Sequence, residues 1–367
     1  MKVLHAITSG DAGGAQSHVL ALCEALAPSA ELSVAIGSGT GTSHLGRQLA
    51  AAGVRAIHLA QMRNSTSPLQ LLRACGELGP LIRDVRPDIV HAHSSFAGAA
   101  ARLAARRAGV PAVYTVHGFG FKPQARSPAR QAAWFGEALF APLTASMICV
   151  SRDEARLAAR LPLAARHVVV IPNGLPDVAW RADPAREPAT LAMVARLAPP
   201  KRPDVLLAAM QLLSARAGLE LVGDGPLRAG LESQARRLGL PGVAFSGNVQ
   251  DVAQRLAGHG IFVLLSDHEG LPISVLEAMR AGLAIVASRL PGIAEMVSDG
   301  ESALLVDNQP RAVSAALDRL LADPALRARL GAAARARYER EFQASVMASK
   351  VLEVYASVLA RREQRNG

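Results

Sequence analysis

Along the chain, short apolar runs alternate with longer stretches in which apolar residues recur at helical spacing. That alternation predicts repeated βα units built around parallel sheets. A first series offers strands at "KVLHAIT" (Lys2 to Thr8), "LSVAIG", "VRAIHLA", "DIVHAH" (Asp88 to His93), "AVYTVHG" (Ala112 to Gly118), "SMICVS" and "HVVVIPNG" (His167 to Gly174). The period then breaks at "LPDVAWRADPAREPA", whose three prolines and mixed charge read as a linker over 176–188. A second series follows, with strands at "TLAMVAR" (Thr190 to Arg196), "LELVGDG", "VAFSG", "GIFVLLS" (Gly260 to Ser266), "LAIVAS" and "ALLVD" (Ala303 to Asp307). Beyond Gln309 the pattern is helical to the end. The expected fold is therefore α/β, with two Rossmann-like doubly wound domains at 1–175 and 189–342 and a closing helix over 343–367. Such sheets bind ligands outside the carboxyl ends of their strands. Two of them are expected to face each other across a cleft that draws residues from both halves.

Composition supports this class. Of 367 residues, half are apolar and only 4% aromatic, so Ala, Leu and Val must form the core, which suits helices packed on parallel strands. No apolar run approaches the roughly 18 residues of a membrane span, and the first residues carry too short an apolar run for a signal peptide. A cytoplasmic location is the expectation. Cys23, Cys75 and Cys149 are far apart in no ligand pattern, so neither a disulfide framework nor a zinc site is indicated.

Charge adds one further point. Residues 1–175 hold 17 Lys and Arg against 9 Asp and Glu, whereas the remainder is nearly balanced. The cluster of Arg102, Arg106, Arg107, Lys122, Arg126 and Arg130 would suit an anionic membrane surface, and a solvated Arg-rich face accounts for it equally. Nucleic acid fits less well, because no aromatic platform accompanies the charge.

Candidate chemistry lies at the strand ends. Gly10, Gly13 and Gly14 lie between the first strand and its helix, where backbone can approach a phosphate, although a tight turn alone explains them as well. The second strand ends without the acidic residue that would hold an adenosine ribose, which counts against an NAD enzyme. Arg196 and Lys201 flank a Pro-Pro turn after the first strand of the second series, a pairing that can grip a diphosphate or stay solvated. In "SDHEGLPISVLEAM" a strand turns into a helix, with Pro272 in the first helical position and the amides of Gly270, Leu271 and Ile273 forming an anion site. Glu269 and Glu277 bracket that turn. Carboxylates beside a diphosphate would repel it unless they met hydroxyls, so sugar and ribose hydroxyls are their targets; helix capping and a solvated face are the plain alternatives. His91, His93 and His117 end adjacent strands and could bind a sugar as neutral imidazoles, though a strand-end histidine is more often structural. His5 and His18 carry no such local signal, and "SRDE" at Ser151 to Glu154 has the spacing of a capping box.

Taken in order, the "GG" turn, "DIVHAH", "TVHG", "IPNG", Arg196 with Lys201, "GDGP", "FSG" and the paired glutamates of "EGLPISVLEAM" resemble the retaining family 4 glycosyltransferases over nearly the whole chain. The resemblance implies a GT-B fold in which Arg196 and Lys201 hold the nucleotide diphosphate and Glu277 the ribose. Glu269 would contact the donor sugar, supported by Gly270, Leu271, Pro272 and Ile273. His117 would face that sugar from the first domain, and Gly13 and Gly14 would close over the phosphates. Gln16 stands where many relatives carry Glu, and "NGL" at Asn173 to Leu175 lacks the Asp that often follows. The implied activity is metal-free, retaining transfer from a nucleotide diphosphate sugar, with UDP the expected base. The acceptor expected is lipid-linked or a polysaccharide of the bacterial envelope, met at the inner face of the membrane. A nucleotide-sugar epimerase of the same fold, or a non-catalytic sugar-nucleotide-binding subunit, would share these features.

Overall fold

The structure, a computed structural model, describes residues 1–11, 13–37, 43–122, 127–162 and 167–366. They form two compact units, one of Met1–Pro176 with Ala344–Gly367 and one of Asp177–Gln343. Arg126, one of the basic cluster, lies outside the described residues.

In the first unit the strands are β1 (Lys2–Ile7), β2 (Glu31–Gly37), β3 (Arg55–Leu59), β4 (Ile89–His93), β5 (Ala112–Val116), β6 (Ser146–Cys149) and β7 (Val168–Val170). They pair in the order β3-β2-β1-β4-β5-β6-β7, every pair parallel. The second unit holds β8 (Leu191–Val194), β9 (Leu219–Val222), β10 (Val243–Gly247), β11 (Ile261–Leu264), β12 (Ala284–Ser288) and β13 (Leu304–Val306). Their order is β10-β9-β8-β11-β12-β13, again all parallel. Both sheets reverse direction after their first strand, so each has its own switch point: β1 beside β4, and β8 beside β11. Every residue of β4, β5, β11 and β12 is buried, as central parallel strands covered by helices on both faces must be, and in β4 that burial takes in His91 and His93.

The C-terminal helix Ala344–Asn366 belongs to the first unit, where it packs on helix Gly14–Leu26. Tyr355 on that helix is fully buried and its hydroxyl meets His91 Nδ1 at 2.6 Å. Among the described residues, no helix is long and apolar enough to cross a membrane.

Two members of the basic cluster are not on the surface. Arg102, 1% exposed, pairs with Glu137 at 2.9 Å and lies over the Tyr114 ring, whose hydroxyl donates to the same carboxylate at 3.1 Å. Lys122 is buried against Glu154. A charge inside a core needs a partner, and sequence spacing gave no sign that these two had one. Arg106 and Arg107 are exposed and Arg130 is half-buried.

Candidate functional site

In the second unit the site is assembled at the switch point. Strand β8 ends at Val194, two residues short of Arg196, which is exposed on the loop that follows. Gly223 allows that loop to sit where it does: its φ is +124°, and a Cβ there would lie 2.0 Å from the carbonyl oxygen of Ala195. Hence the glycine of "GDGP". The Pro-Pro turn is then stitched to the end of β11. Lys201 forms an antiparallel bridge with Ser266, and Asp267 N–H donates to Pro200 O at 2.9 Å. This pairing brings the Lys201 ammonium into direct contact with the Glu269 carboxylate, 68 residues away in sequence. Below them Ser266, Ser288 and Asn308 tie β11 and β12 to the residues after β13: Ser266 N–H to Ser288 Oγ at 2.8 Å, Ser288 Oγ–H to Asn308 Oδ1 at 2.6 Å, Asn308 Nδ2–H to Ser266 O at 2.8 Å.

The helix after this loop runs Ile273–Ala281, and Gly282 closes it in the left-handed conformation. Pro272 is its N-cap, not its first helical residue: ψ of 124° keeps it extended, and its carbonyl accepts from Val275 and Leu276 at 3.2 and 3.4 Å. No side chain caps this end. Glu269 is therefore not a cap; it is held by Lys201. Gly270, Leu271, Pro272 and Ile273 are all buried, and the N-terminal amides of the helix with its dipole give the turn a positive character. Glu277 lies inside the helix, where burial pushes its carboxyl up to about 7 against the pull of Arg280.

The first unit presents different chemistry at its own switch point. Gly13 and Gly14 are exposed at the start of helix Gly14–Leu26, and no side chain caps it; Gln16 Nε2–H donates to Ser9 O at 2.9 Å. Beside this end are five histidines. His5, His91 and His93 are fully buried, His18 is 2% exposed and His117 is partly exposed. His93 lies between His5 (Nδ1 to Nε2, 3.1 Å) and His117 (Nε2 to Nδ1, 3.4 Å), and the His18 ring contacts the His117 ring edge-on at 4.6 Å. Burial and then their mutual repulsion drive His91 and His93 well below the usual imidazole range; burial, then His18, does the same to His117. These side chains are neutral near pH 7.

Sequence reasoning passed over His5 and His18. The β1–β4 register pairs His5 with His91 and Ile7 with His93, so a histidine in the first strand borders the "HAH" strand once the Rossmann order is assumed. Glu154 was also underread. Ser151 does accept the Glu154 N–H at 3.2 Å, but the Glu154 carboxylate accepts from Phe119 N–H at 3.0 Å and pairs with Lys122, fastening the loop that follows His117.

Comparison with known proteins agrees with this architecture. Residues 12–178 match Glycosyltransferase Family 4 and residues 179–337 match Glycosyl transferases group 1. A UDP-Gal:alpha-D-GlcNAc-diphosphoundecaprenol alpha-1,3-galactosyltransferase of Escherichia coli is 30% identical over 65% of this chain and 67% of its own. A D-inositol 3-phosphate glycosyltransferase of Xylanimonas cellulosilytica is 28% identical over 97% of this chain and 94% of its own. Among solved structures, Anabaena Alr3699/HepE in complex with UDP and glucose superposes with a TM-score of 0.85 at 20% identity, covering 97% of this chain and all of that one. The chain belongs to the family 4 glycosyltransferases and has their GT-B fold of two Rossmann-like domains.

Proposed function

We propose that this glycosyltransferase moves a sugar from a UDP-sugar, with retention of anomeric configuration and without a metal, to a lipid-linked or saccharide acceptor of the bacterial envelope. The observation that carries the proposal is the Lys201–Glu269 pair at the second switch point, beside an exposed Arg196 and a helix end that no side chain caps. In this reading Arg196, Lys201 and the amides from Gly270 to Ile273 take the charge that develops on the departing diphosphate. Glu277 holds the ribose, and Glu269, released from part of its pairing, meets the donor sugar. His117, Gly13 and Gly14 keep, in the first unit, the roles that the family resemblance implies. The acceptor hydroxyl attacks from the face the diphosphate leaves; the C–O bond to the phosphate breaks as the new glycosidic bond forms, and the leaving phosphate oxygen takes the hydroxyl proton. Trapping a covalent sugar on the protein would overturn that step.

A UDP-galactose enzyme acting on a diphosphoundecaprenol acceptor among the relatives supports the donor base and the lipid-linked acceptor. Peripheral contact with an anionic membrane is supported by the first unit. On helix Ser127–Phe140, Phe135 is 66% and Leu139 71% exposed, and Arg106 and Arg107 are exposed on the neighbouring helix Ser95–Arg107. The deciding experiment is thermal stabilisation by UDP, GDP, ADP and NAD in wild type and Lys201→Ala. A shift with UDP that disappears in the variant is expected; equal shifts in both proteins would remove Lys201 from the site. Flotation with anionic vesicles at low salt tests the membrane part, which fails if the protein stays unbound.

A further inference from the structure

Five histidines packed together exceed what holding one sugar requires, and their hydrogen bonds are unevenly distributed. His91 is fully engaged, Nδ1 with the Tyr355 hydroxyl at 2.6 Å and Nε2 with Thr115 Oγ1 at 2.7 Å. His18 is less well engaged: it is buried, its one side-chain hydrogen-bonding neighbour is Asn173, and the other ring nitrogen is left over. A buried ring nitrogen left over in this way costs roughly 1–3 kcal/mol, which a ligand at that nitrogen would offset.

His18, His93 and His117 each offer a ring nitrogen, all within 4.8 Å of one another. They come from three elements of the first unit: the helix Gly14–Leu26, the end of β4 and the residue after β5. Tetrahedral zinc with bonds of about 2.0–2.1 Å separates its imidazole nitrogens by about 3.3–3.4 Å. His93 Nδ1 and His117 Nε2 stand 3.4 Å apart. The tautomer is right as well. With Nδ1 given to an ion, His93 carries its proton on Nε2, which donates to His5 Nδ1 at 3.1 Å. That is the outer-shell bond that metal-bound histidines usually make. His5, His91 and His93 also lie within ligand reach of one another, but His91 would first have to give up both its partners.

The geometry points to a binding site for one transition-metal dication of the zinc class on His18, His93 and His117, with His5 as the positioning residue and the fourth position open to solvent or a substrate oxygen beside the partly exposed His117. No step of the transfer proposed above runs through this ion. The binding claim stands independently of the transfer reaction.

The test uses the full chain, free of any histidine tag and stripped by chelation, titrated with Co²⁺ as the spectroscopic probe and then with Zn²⁺. Wild type should take up a single equivalent of Co²⁺ with visible ligand-field bands that Zn²⁺ abolishes, and Zn²⁺ should raise its melting temperature. His117→Gln, the variant least exposed to folding failure because this residue is only partly buried, should lose both signals while keeping its circular dichroism. His18→Gln should do the same, His5→Gln should weaken binding about 10–100-fold, and the exposed His58→Gln should change neither. Absence of bands in wild type, or their persistence in His117→Gln, would overturn the site. Should His18→Gln not fold, the His117 variant still decides.

Discussion

The two units place their candidate site residues at the same topological position and arm them differently. At the β1/β4 switch point stand glycines and neutral imidazoles; at the β8/β11 switch point stand Arg196, Lys201, Glu269 and Glu277. The sheet order explains where each set gathers, and only the side chains explain what each set can bind. Under the proposed function, the second unit answers to a charged, hydroxyl-bearing ligand. The first gathers neutral imidazoles, yet its histidine loop rests on a buried charge pair, Lys122 with Glu154.

The largest expected effect breaks that support. Glu154→Leu strands the buried Lys122 ammonium and leaves the Phe119 N–H without its acceptor, a loss of about 3–5 kcal/mol. Chemical denaturation should show it as a fall in the unfolding free energy of the first unit. A variant as stable as wild type would mean that the pair is dispensable and the contrast between the units merely superficial. Next comes Lys201→Ala, on the charged side of the comparison. Removing one charge-assisted contact from the leaving diphosphate should cost about 10²–10³ in turnover with a UDP-sugar, measured under saturating acceptor.

How much of this was legible in the sequence differs between the units for a physical reason. The strands of both could be read because strands buried on both faces are continuous apolar runs, and the linker because its prolines interrupt the period. The second unit's candidates could be named because charge is conspicuous at a strand end: Lys201, Glu269 and Glu277 sit within short motifs. The Lys201–Glu269 contact itself was not readable, since it depends on the bridge between Lys201 and Ser266. In the first unit His91, His93 and His117 stood out at strand ends. His5 and His18 did not, because a histidine in an apolar strand or one turn into a helix resembles any packed residue until the sheet order sets it beside β4. Lys122 and Arg102 misled in the other direction, being counted as surface charge although each has a buried carboxylate partner.

A smaller effect concerns how tightly the charged turn is supported from below. Gly292 lies against it so closely that a Cβ would sit 1.8 Å from the Gly270 carbonyl oxygen and 3.2 Å from that of Glu269. Gly292→Ala must push the Glu269–Gly270 loop away, with overpacking of about 1–3 kcal/mol. Weaker UDP stabilisation together with a lower melting temperature is expected. Wild-type UDP binding in this variant would show that the loop's position matters less to the site than its charge.

The last and smallest prediction uses Glu277 to ask whether the second site is charged before its ligand arrives. Burial raises this carboxyl from the ordinary 4.5 to about 7, so the folded protein holds its proton more tightly than the unfolded chain does. Between those values the unfolded chain releases the proton first, and the contribution of Glu277, complete below pH 4.5, is lost as pH rises through about 7. Wild type should therefore lose stability relative to Glu277→Gln across this window. The shift alone corresponds to roughly 3 kcal/mol, and partial solvent exposure of the side chain brings the expected difference to about 1–2 kcal/mol. Paired denaturation curves at pH 5 and pH 8 measure it. A flat difference would mean that Glu277 is ionised throughout. Saturating UDP should shrink the wild-type slope, because ribose hydroxyls donating to the carboxylate stabilise its ionised form and pull its pKa back down. An unchanged slope with UDP bound would place the ribose elsewhere and leave Glu277 as a half-buried carboxyl in the helix.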